Sequence, residues 1–86
     1  LQVRHRSAAA APLPKGLSAR TMELVASTLR REGDADLSAQ EVAERCGMAR
    51  VSARRYLEHL AGSGLAVVRP RYGAAGRPEN GYRWAG

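Results

Sequence analysis

Cysteine is almost absent from the sequence, which excludes two ways of stabilising a small domain. The single cysteine, Cys46, has no second thiol to pair with, so the chain cannot form an internal disulfide. This is typical of proteins from a reducing cytosol. One cysteine also cannot supply the several thiolates of a cysteine-based zinc site. The 86 residues therefore predict one small domain in which nearly every element contributes to packing.

Long apolar runs are also absent. No stretch approaches the roughly 20 apolar residues of a membrane-spanning helix, and residues 1–6 lack the apolar core of a secretory signal. We therefore expect a cytoplasmic protein with no membrane partner. The sequence opens on Leu1 rather than methionine, so we expect it to be part of a longer protein.

Aromatic residues and catalytic patterns are scarce as well. Aromatic side chains make up 5% of the sequence, too few for the stacking platforms that bind single-stranded RNA. His5 and His59 have no catalytic partner at a useful spacing, and no glycine-rich phosphate-binding pattern is present. Asp34 and Asp36 lack the further acidic positions of a calcium loop. The sequence therefore predicts no enzyme, no cofactor and no metal site.

Positive charge, by contrast, is abundant and confined to the second half of the chain. The formal net charge is +6. Residues 1–44 contain six basic and six acidic side chains, whereas residues 45–86 contain eight arginines against Glu58 and Glu79. Such an asymmetry favours a polyanionic partner, either nucleic acid or an anionic membrane. The alternatives are a solvated surface and the arginine-rich composition of a GC-rich genome.

Residues 1–14 are predicted to be a linker or tail, and residues 15–86 the folded domain. Two prolines near the end of the linker stop any helix that the preceding alanines begin. A first helix is predicted to begin after Ser18, a favourable N-cap, and to end at Gly33. Its inward face is predicted to contain Thr21, Leu24, Val25, Thr28 and Leu29.

The second helix has the clearest start in the sequence. Ser38 and Glu41 have the spacing of a capping box, and residues 34–36 are predicted to form a turn or a very short strand. The helix is predicted to bury Val42, Ala43 and Cys46. It ends at Gly47, where a sharp turn between two helices requires a positive φ.

The third helix is predicted over residues 49–63. Its inward face follows from helical spacing and contains Ala53, Tyr56, Leu57 and Leu60. The opposite face is predicted to contain Val51, Arg54, Arg55 and Glu58. Gly64 is predicted to end the helix, with Leu65 packing back on Leu60.

Beyond the third helix the pattern changes to that of strands. Residues 65–69 are predicted to form a strand that Pro70 ends or confines to a sheet edge, and residues 80–84 a second strand. A glycine-rich loop over residues 72–79 joins them into a hairpin. Three helices followed by a hairpin are the order of a winged helix-turn-helix. The predicted fold class is therefore α+β, mainly helical.

Small residues around the predicted turn support this fold. Ala43 lets the second and third helices approach, Gly47 forms the corner, and Ala53 packs between them. The alternative is a plain helical hairpin whose arginines merely solvate one face. That alternative does not explain why basic residues gather on the third helix and the loop while the first helix is neutral.

The sequence also resembles a known family in several short segments. They are residues 15–17, 38–47, 50–58, 72–73 and 76–78, together with Tyr82. Here the chain is similar to the C-terminal DNA-binding domain of CitB/DcuR-type two-component response regulators. The resemblance implies a bacterial transcription regulator with an upstream receiver domain, and a sensor kinase that responds to citrate or C4-dicarboxylates. Ala49 departs from the family pattern, in which a serine or threonine N-cap is expected.

We expect the third helix to enter the major groove of double-stranded DNA, with the wing at the minor groove or the backbone. Arg50 and Arg55 are predicted to bind guanine edges, and Val51 to contact a thymine methyl group. Phosphate or wing contacts are predicted for Ser52, Arg54, Arg69, Arg71 and Arg77. Arg83 and the start of the second helix are further phosphate candidates.

Plainer interpretations of these residues stay open. Arg54 can pair with Glu58 four residues on, Val51 can be a tolerated surface valine, and Arg77 can be an ordinary loop charge. The alternative function is a winged helix that binds protein, in which Val51 would belong to a larger apolar patch. A homodimer on paired DNA half-sites is also left open, because response regulators often bind in this way.

Overall fold

The computed structural model of the chain describes residues 13–72 and 78–86. Within them the elements are α1 (Ala19–Glu32), β1 (Leu37–Ser38), α2 (Ala39–Cys46), α3 (Arg50–Gly62), β2 (Ala66–Tyr72) and β3 (Pro78–Trp84). The strands form one antiparallel sheet with β3 between β1 and β2. This order confirms the predicted winged helix-turn-helix. The predicted linker, apart from Leu13 and Pro14, and the predicted wing contact Arg77 lie outside the described residues.

Both α1 and α2 begin at the serine caps that the sequence predicts. The backbone N–H of Thr21 donates to the Ser18 hydroxyl oxygen over 3.2 Å. At α2 the backbone N–H of Glu41 donates to the Ser38 hydroxyl oxygen over 3.1 Å, and the Ser38 N–H donates to the Glu41 carboxylate over 2.8 Å. This reciprocal pair is a complete capping box, which satisfies backbone N–H groups that the first turn of a helix leaves without partners.

The corner between α2 and α3 is made by Gly47. Its φ of +69° and ψ of +42° lie in the left-handed region, which costs glycine little and other residues considerably more. The N–H of Met48 donates back to the Ala43 carbonyl over 3.0 Å, which closes the end of α2. α3 then begins after Ala49, which has no side-chain capping bond, in agreement with its departure from the family pattern.

The predicted inward face of α1 is partly wrong. Val25, Thr28 and Leu29 are buried as expected, but Leu24 is 41% exposed and Ala26 is buried instead. The buried arc of α1 is centred on Val25 and Leu29 and extends toward Ala26, so that Leu24 lies at its margin. Apolar spacing alone does not reveal which edge of the stripe a neighbouring helix covers.

The predicted inward face of α3 is confirmed at all its positions, Ala53, Tyr56, Leu57 and Leu60. The predicted end is confirmed as well. The backbone N–H of Leu65 donates to the Leu60 carbonyl over 2.9 Å, and that of Gly64 to the Ala61 carbonyl over 3.1 Å. These two bonds define a Schellman motif, which turns the chain from α3 into β2.

The hairpin is longer than predicted. β2 continues through Pro70 to Tyr72, and β3 begins at Pro78. Pro70 is compatible with β2 because β2 is an edge strand, where a missing N–H removes no bond to a second neighbour. Of the two predicted roles of Pro70, a stop or a place at a sheet edge, the second is confirmed, and the strand continues past residue 69.

The strand β1 was not predicted at the position where it lies. The sequence suggested a turn or a short strand over residues 34–36, but the strand is Leu37–Ser38. Leu37 pairs with Tyr82 and Ser38 with Gly81. β1 therefore joins the segment before α2 directly to the base of the wing.

The core lies between the three helices and one face of the sheet. Its largest fully buried side chains are Val25, Leu29, Val42 and Leu57. The sheet contributes Leu37, Ala66 and Tyr82, which are also buried. Cys46 was predicted to be buried and is half-buried, with its sulfur 3.4 Å from the Thr28 hydroxyl oxygen. The wing and the helices thus share one core, which fixes the position of β3 relative to α3.

Substituting Gly47 tests the corner of the helix-turn-helix. A Cβ at this position would meet no atom within 4 Å, so the cost of Gly47→Ala comes from the left-handed backbone, about 1–2 kcal/mol. Gly62→Ala is the matched control, because Gly62 also has open space but no positive φ. It should leave stability unchanged or raise it by up to about 1 kcal/mol. Equal losses in chemical denaturation would contradict this origin.

Candidate nucleic-acid interface

The outer face of α3 carries an exposed valine among arginines. Val51 is 67% exposed, and Arg50, Arg54 and Arg55 are exposed as well. With 3.6 residues per turn, Arg50 and Arg54 lie on one flank of Val51 and Arg55 lies on the other. The three arginines thus surround an isolated apolar side chain on the helix that follows the turn.

The first flank faces the wing. Arg50 and Arg54 line a groove of about 370 Å³ between α3, the start of α2 and β3. Arg54 Nε lies 3.4 Å from a Glu58 carboxylate oxygen. The ion pair between these residues, which is the alternative to a DNA contact of Arg54, is therefore formed. The same oxygen accepts from the Tyr82 hydroxyl over 3.5 Å, which directs Arg54 toward the wing.

Two polar residues in this groove were missed by the sequence analysis. Gln40 on α2 and Asn80 on β3 line it together with the arginines, and both are exposed. Either amide can donate and accept hydrogen bonds. They lie 40 residues apart along the chain, and only the fold brings them together, so no local pattern could have found them.

The second flank faces the start of the domain. Arg55 Nη2 donates to the Lys15 carbonyl oxygen over 3.0 Å. Next to it, the backbone N–H of Ser18 donates to the Tyr56 hydroxyl oxygen over 2.9 Å. This hydrogen bond lowers the pKa of Tyr56 below its ordinary value, although burial opposes the shift. Ser52 is half-buried beside a cavity of about 310 Å³ on the same side.

On the sheet, two arginines predicted to contact phosphate differ in their surroundings. Arg69 and Arg71 share the face of β2 that points away from the core. Arg69 is exposed. Arg71 has a side chain that is 30% exposed and donates to the carboxylates of Asp36, Glu41 and Glu79 over 2.9, 3.2 and 3.3 Å.

Arg71 therefore joins separate parts of the protein. It also donates to the backbone carbonyl of Asp36 over 3.1 Å, so β2, β3, α2 and the segment before β1 meet at one guanidinium. The hydrogen bond with Asp36 raises the pKa of Arg71 above its ordinary value. A phosphate would have to compete with three carboxylates for these donors. These contacts indicate a structural role for Arg71, and its predicted phosphate contact stays a prediction.

Gly81 provides the space for this network. A Cβ at Gly81 would lie 2.5 Å from Asp36 Oδ2 and 3.1 Å from Arg71 Nε. Because Gly81 sits in the central strand, the Arg71 side chain can cross β3 to reach Asp36 on the far side. A larger residue at this position would displace the ion pair.

Two further phosphate candidates are Arg83 and the start of α2. Arg83 is half-buried on the outer face of the sheet, where it pairs with Val67 of β2. At the start of α2 the Glu41 carboxylate already accepts the Ser38 N–H. This helix terminus therefore holds an anion from its own chain, as the helix dipole favours.

Known proteins share this helix-turn-helix. The sequence profile of the IclR helix-turn-helix domain matches residues 22–70, which contain α2, α3, the turn between them and most of α1 and β2. The chain belongs to the IclR helix-turn-helix domain family. The predicted resemblance to CitB/DcuR-type response regulators is confirmed by individual relatives.

The relatives are regulators from several bacteria. The chain is 49% identical over 70 residues to the "probable C4-dicarboxylate response regulator DctR" of Bacillus subtilis, with 81% of this chain covered. It is 39% identical to the transcriptional regulatory protein CitT of Halalkalibacterium halodurans and 34% identical to DcuR of Escherichia coli, both over 71 residues and 83% of this chain. The chain spans only 30–31% of the length of these proteins.

A solved structure has the same fold. A "possible transcriptional regulator" from Methanosarcina mazei Go1 superimposes with a TM-score of 0.74, over 81% of this chain and 57% of that one. The sequence identity is 11%, so this similarity concerns the fold alone.

Two further features are absent from the part of the chain that the structure describes. No helix there is long and apolar enough to span a membrane. No cluster of three or more histidine, cysteine, aspartate or glutamate side chains in that part could hold a metal ion.

The capping box predicts a specific dependence of stability on pH. The Ser38 N–H and the Arg71 guanidinium lower the pKa of Glu41 below its ordinary value of 4.5, and burial opposes them. A carboxyl group with a lower pKa in the folded chain stabilises the fold above its ordinary pKa, and this contribution is lost as the pH falls through the folded pKa. Glu41→Gln should therefore lower stability at neutral pH and reduce the loss on acidification.

Denaturation at neutral pH and below pH 4.5 measures this effect. Glu44→Gln is the control, because Glu44 lies on the exposed side of the same helix and accepts only from Gln40 among the described side chains. An unchanged acid dependence in Glu41→Gln would contradict the assigned role of the carboxylate.

Substitution of Arg69 and of Arg71 should change the free energy of unfolding by different amounts. Arg71→Ala leaves three carboxylates without their shared donor and should lower the free energy of unfolding by about 1–2 kcal/mol. Arg69→Ala removes an exposed side chain and should change it by less than about 0.5 kcal/mol. Equal effects in urea denaturation would show that the network around Arg71 contributes nothing.

Proposed function

We propose that this domain binds double-stranded DNA in a sequence-specific manner, with α3 in the major groove. The observation that supports this most directly is the outer face of α3, where three exposed arginines surround Val51 immediately after the Gly47 turn. A helix placed by such a turn fits the major groove. Arginine suits both guanine edges and phosphates because its planar donors can bind in pairs.

The proposed base contacts lie on both flanks of α3. Arg50 and Arg55 bind guanine through O6 and N7, each adding about 1–3 kcal/mol of discrimination between bases. Val51, between them, contacts a thymine methyl group. Its isolation among charged side chains fits a single methyl contact better than the centre of an apolar patch.

The proposed phosphate contacts frame this surface. Ser52 lies beside Arg55 on one flank, Arg54 lies on the other, and Arg69 projects from the exposed edge strand β2. Arg54 exchanges its Glu58 partner for a phosphate, which costs little because an exposed ion pair contributes less than about 1 kcal/mol. Arg77 at the tip of the wing is proposed to reach the minor groove or the backbone. Arg71 is left out of the contact set.

Gln40 and Asn80 extend the proposed surface across the groove between α3 and the wing. Both residues line the space next to Arg50 and Arg54. An amide can donate to a phosphate oxygen or bind an adenine edge. The wing therefore serves both as a support for α3 and as part of the surface that meets DNA.

The wider role follows from the relatives. One of them is named a C4-dicarboxylate response regulator and the others transcriptional regulatory proteins, and they are about three times as long as the matched segment. We infer that residues 15–86 are the output domain of a bacterial two-component regulator and residues 1–14 the linker to a receiver domain. The protein would act without catalysis in the cytoplasm, downstream of a sensor kinase, and bind paired half-sites as a homodimer.

Salt dependence separates this function from the alternative of a protein-binding winged helix. Neutralised phosphates release counterions, so affinity for DNA should fall steeply as salt rises. A partner protein bound through an apolar patch would show little salt dependence. Binding of a random duplex pool at two salt concentrations measures the slope, and sequencing of the bound fraction gives the preferred site. A pool that stays random would contradict specific recognition.

Alanine variants test the division between base and phosphate contacts. Arg50→Ala or Arg55→Ala should weaken binding to the selected site by about 1–3 kcal/mol and relax preference at one base pair. Arg69→Ala should weaken selected and unrelated duplexes alike and reduce the salt slope by about one. Fluorescence anisotropy with matched duplexes measures both. Identical behaviour of the two classes would contradict the assignment.

A further inference from the structure

The chain enters the domain through a tight turn next to α3. The backbone N–H of Leu17 donates to the Pro14 carbonyl over 3.1 Å, which closes a β-turn over residues 14–17. Gly16, the third residue of the turn, has a φ of +91°, whereas Lys15, like the other described non-glycine residues, has no positive φ. A positive φ at the third position alone defines a type II turn.

The turn type determines where the Lys15 carbonyl points. The second residue of a type I turn has a ψ of about −30°, and that of a type II turn about +120°. This difference rotates the peptide unit between the second and third residues, so its carbonyl points in the opposite direction. In this protein the rotated carbonyl is the one that accepts from Arg55 Nη2 over 3.0 Å.

Gly16 also allows the guanidinium to come close. A Cβ at Gly16 would lie 3.1 Å from Arg55 Nη2 and 3.2 Å from Nη1, closer than a side chain normally approaches without displacement. The positive φ therefore favours glycine, and a Cβ at this position would displace the Arg55 guanidinium by a few tenths of an ångström. Among the described glycines with positive φ, Gly16 alone meets a neighbour in this way.

The turn is attached to α3 by more than this one bond. The Tyr56 hydroxyl accepts from the Ser18 N–H over 2.9 Å, and Leu17 packs against the core. Tyr56 is buried and follows Arg55 directly. The Lys15 carbonyl, which accepts from Arg55, is therefore fixed relative to α3, the helix that contains Arg55.

We propose that Gly16 and the type II turn it forms are positioning elements for Arg55 in DNA recognition. The Lys15 carbonyl uses one guanidinium donor and holds the side chain against the flank of α3 before DNA is bound. The remaining donors are left for a guanine edge or a phosphate. Ordering a flexible arginine in advance reduces the conformational entropy that binding must otherwise remove. The proposal rests on the DNA-binding function proposed above.

The test compares Gly16→Ala with Gly33→Ala. Gly33 also has a positive φ but no atom within 4 Å of an added Cβ, and it ends α1, away from Arg55. Both variants should lose stability. Only Gly16→Ala should lower preference for the base pair that Arg55→Ala identifies, by about 3- to 10-fold against roughly 5- to 150-fold for a complete guanine contact. Gly16→Asn keeps the turn, since asparagine tolerates a positive φ, and should show the same loss of preference if Gly16→Ala folds poorly.

A double-mutant cycle distinguishes positioning from a general structural effect. Duplexes that carry the selected sequence, and the same sequence altered at single base pairs, are titrated with each variant. In the Arg55→Ala background, Gly16→Ala should cause no further loss of preference. Additive losses, or unchanged preference in both Gly16 variants, would overturn the positioning role while leaving DNA recognition intact. A wild-type domain without sequence preference would instead overturn the proposed function and this inference with it.

Discussion

The guanidinium of Arg71 is the interaction on which the geometry of the wing depends. A short hairpin is barely stable alone, and this one is attached to the helices by the shared core and by Arg71. The guanidinium connects β2 to β3 through Glu79, to α2 through Glu41 and to the segment before β1 through Asp36. Glu41 in turn completes the capping box of α2. The start of the helix-turn-helix and the base of the wing are therefore held by one set of charges.

This arrangement places the arginines of the protein in two groups. Arg71 is surrounded by carboxylates and neutralised within the fold, whereas Arg50, Arg55 and Arg69 are exposed. The electrostatic attraction for a polyanion comes from the second group. The net charge of the chain counts both groups alike, so it does not show which arginines attract the polyanion. Arginine thus stabilises the fold at position 71 and forms the exposed basic surface at positions 50, 55 and 69.

The helices could be predicted from sequence because their signals are local. A capping box spans four residues and an apolar stripe repeats every three or four, so both signals can be recognised without knowledge of the tertiary structure. β1 could not be predicted, because its two residues pair with Gly81 and Tyr82 more than forty positions later. The different surroundings of Arg69 and Arg71 could not be predicted for the same reason. Both arginines lie on the same face of β2, and only the positions of Asp36 and Glu41 in the folded chain distinguish them. The surface residues Gln40 and Asn80 likewise depend on the fold.

Pro70 in β2 has a consequence for neighbouring molecules. β2 is an edge strand, and an exposed edge can pair with a strand of another chain and so lead to aggregation. Pro70 offers no N–H for such pairing, and the charged Arg69 and Arg71 flank it. The edge of β2 therefore opposes the joining of sheets between two copies of the domain.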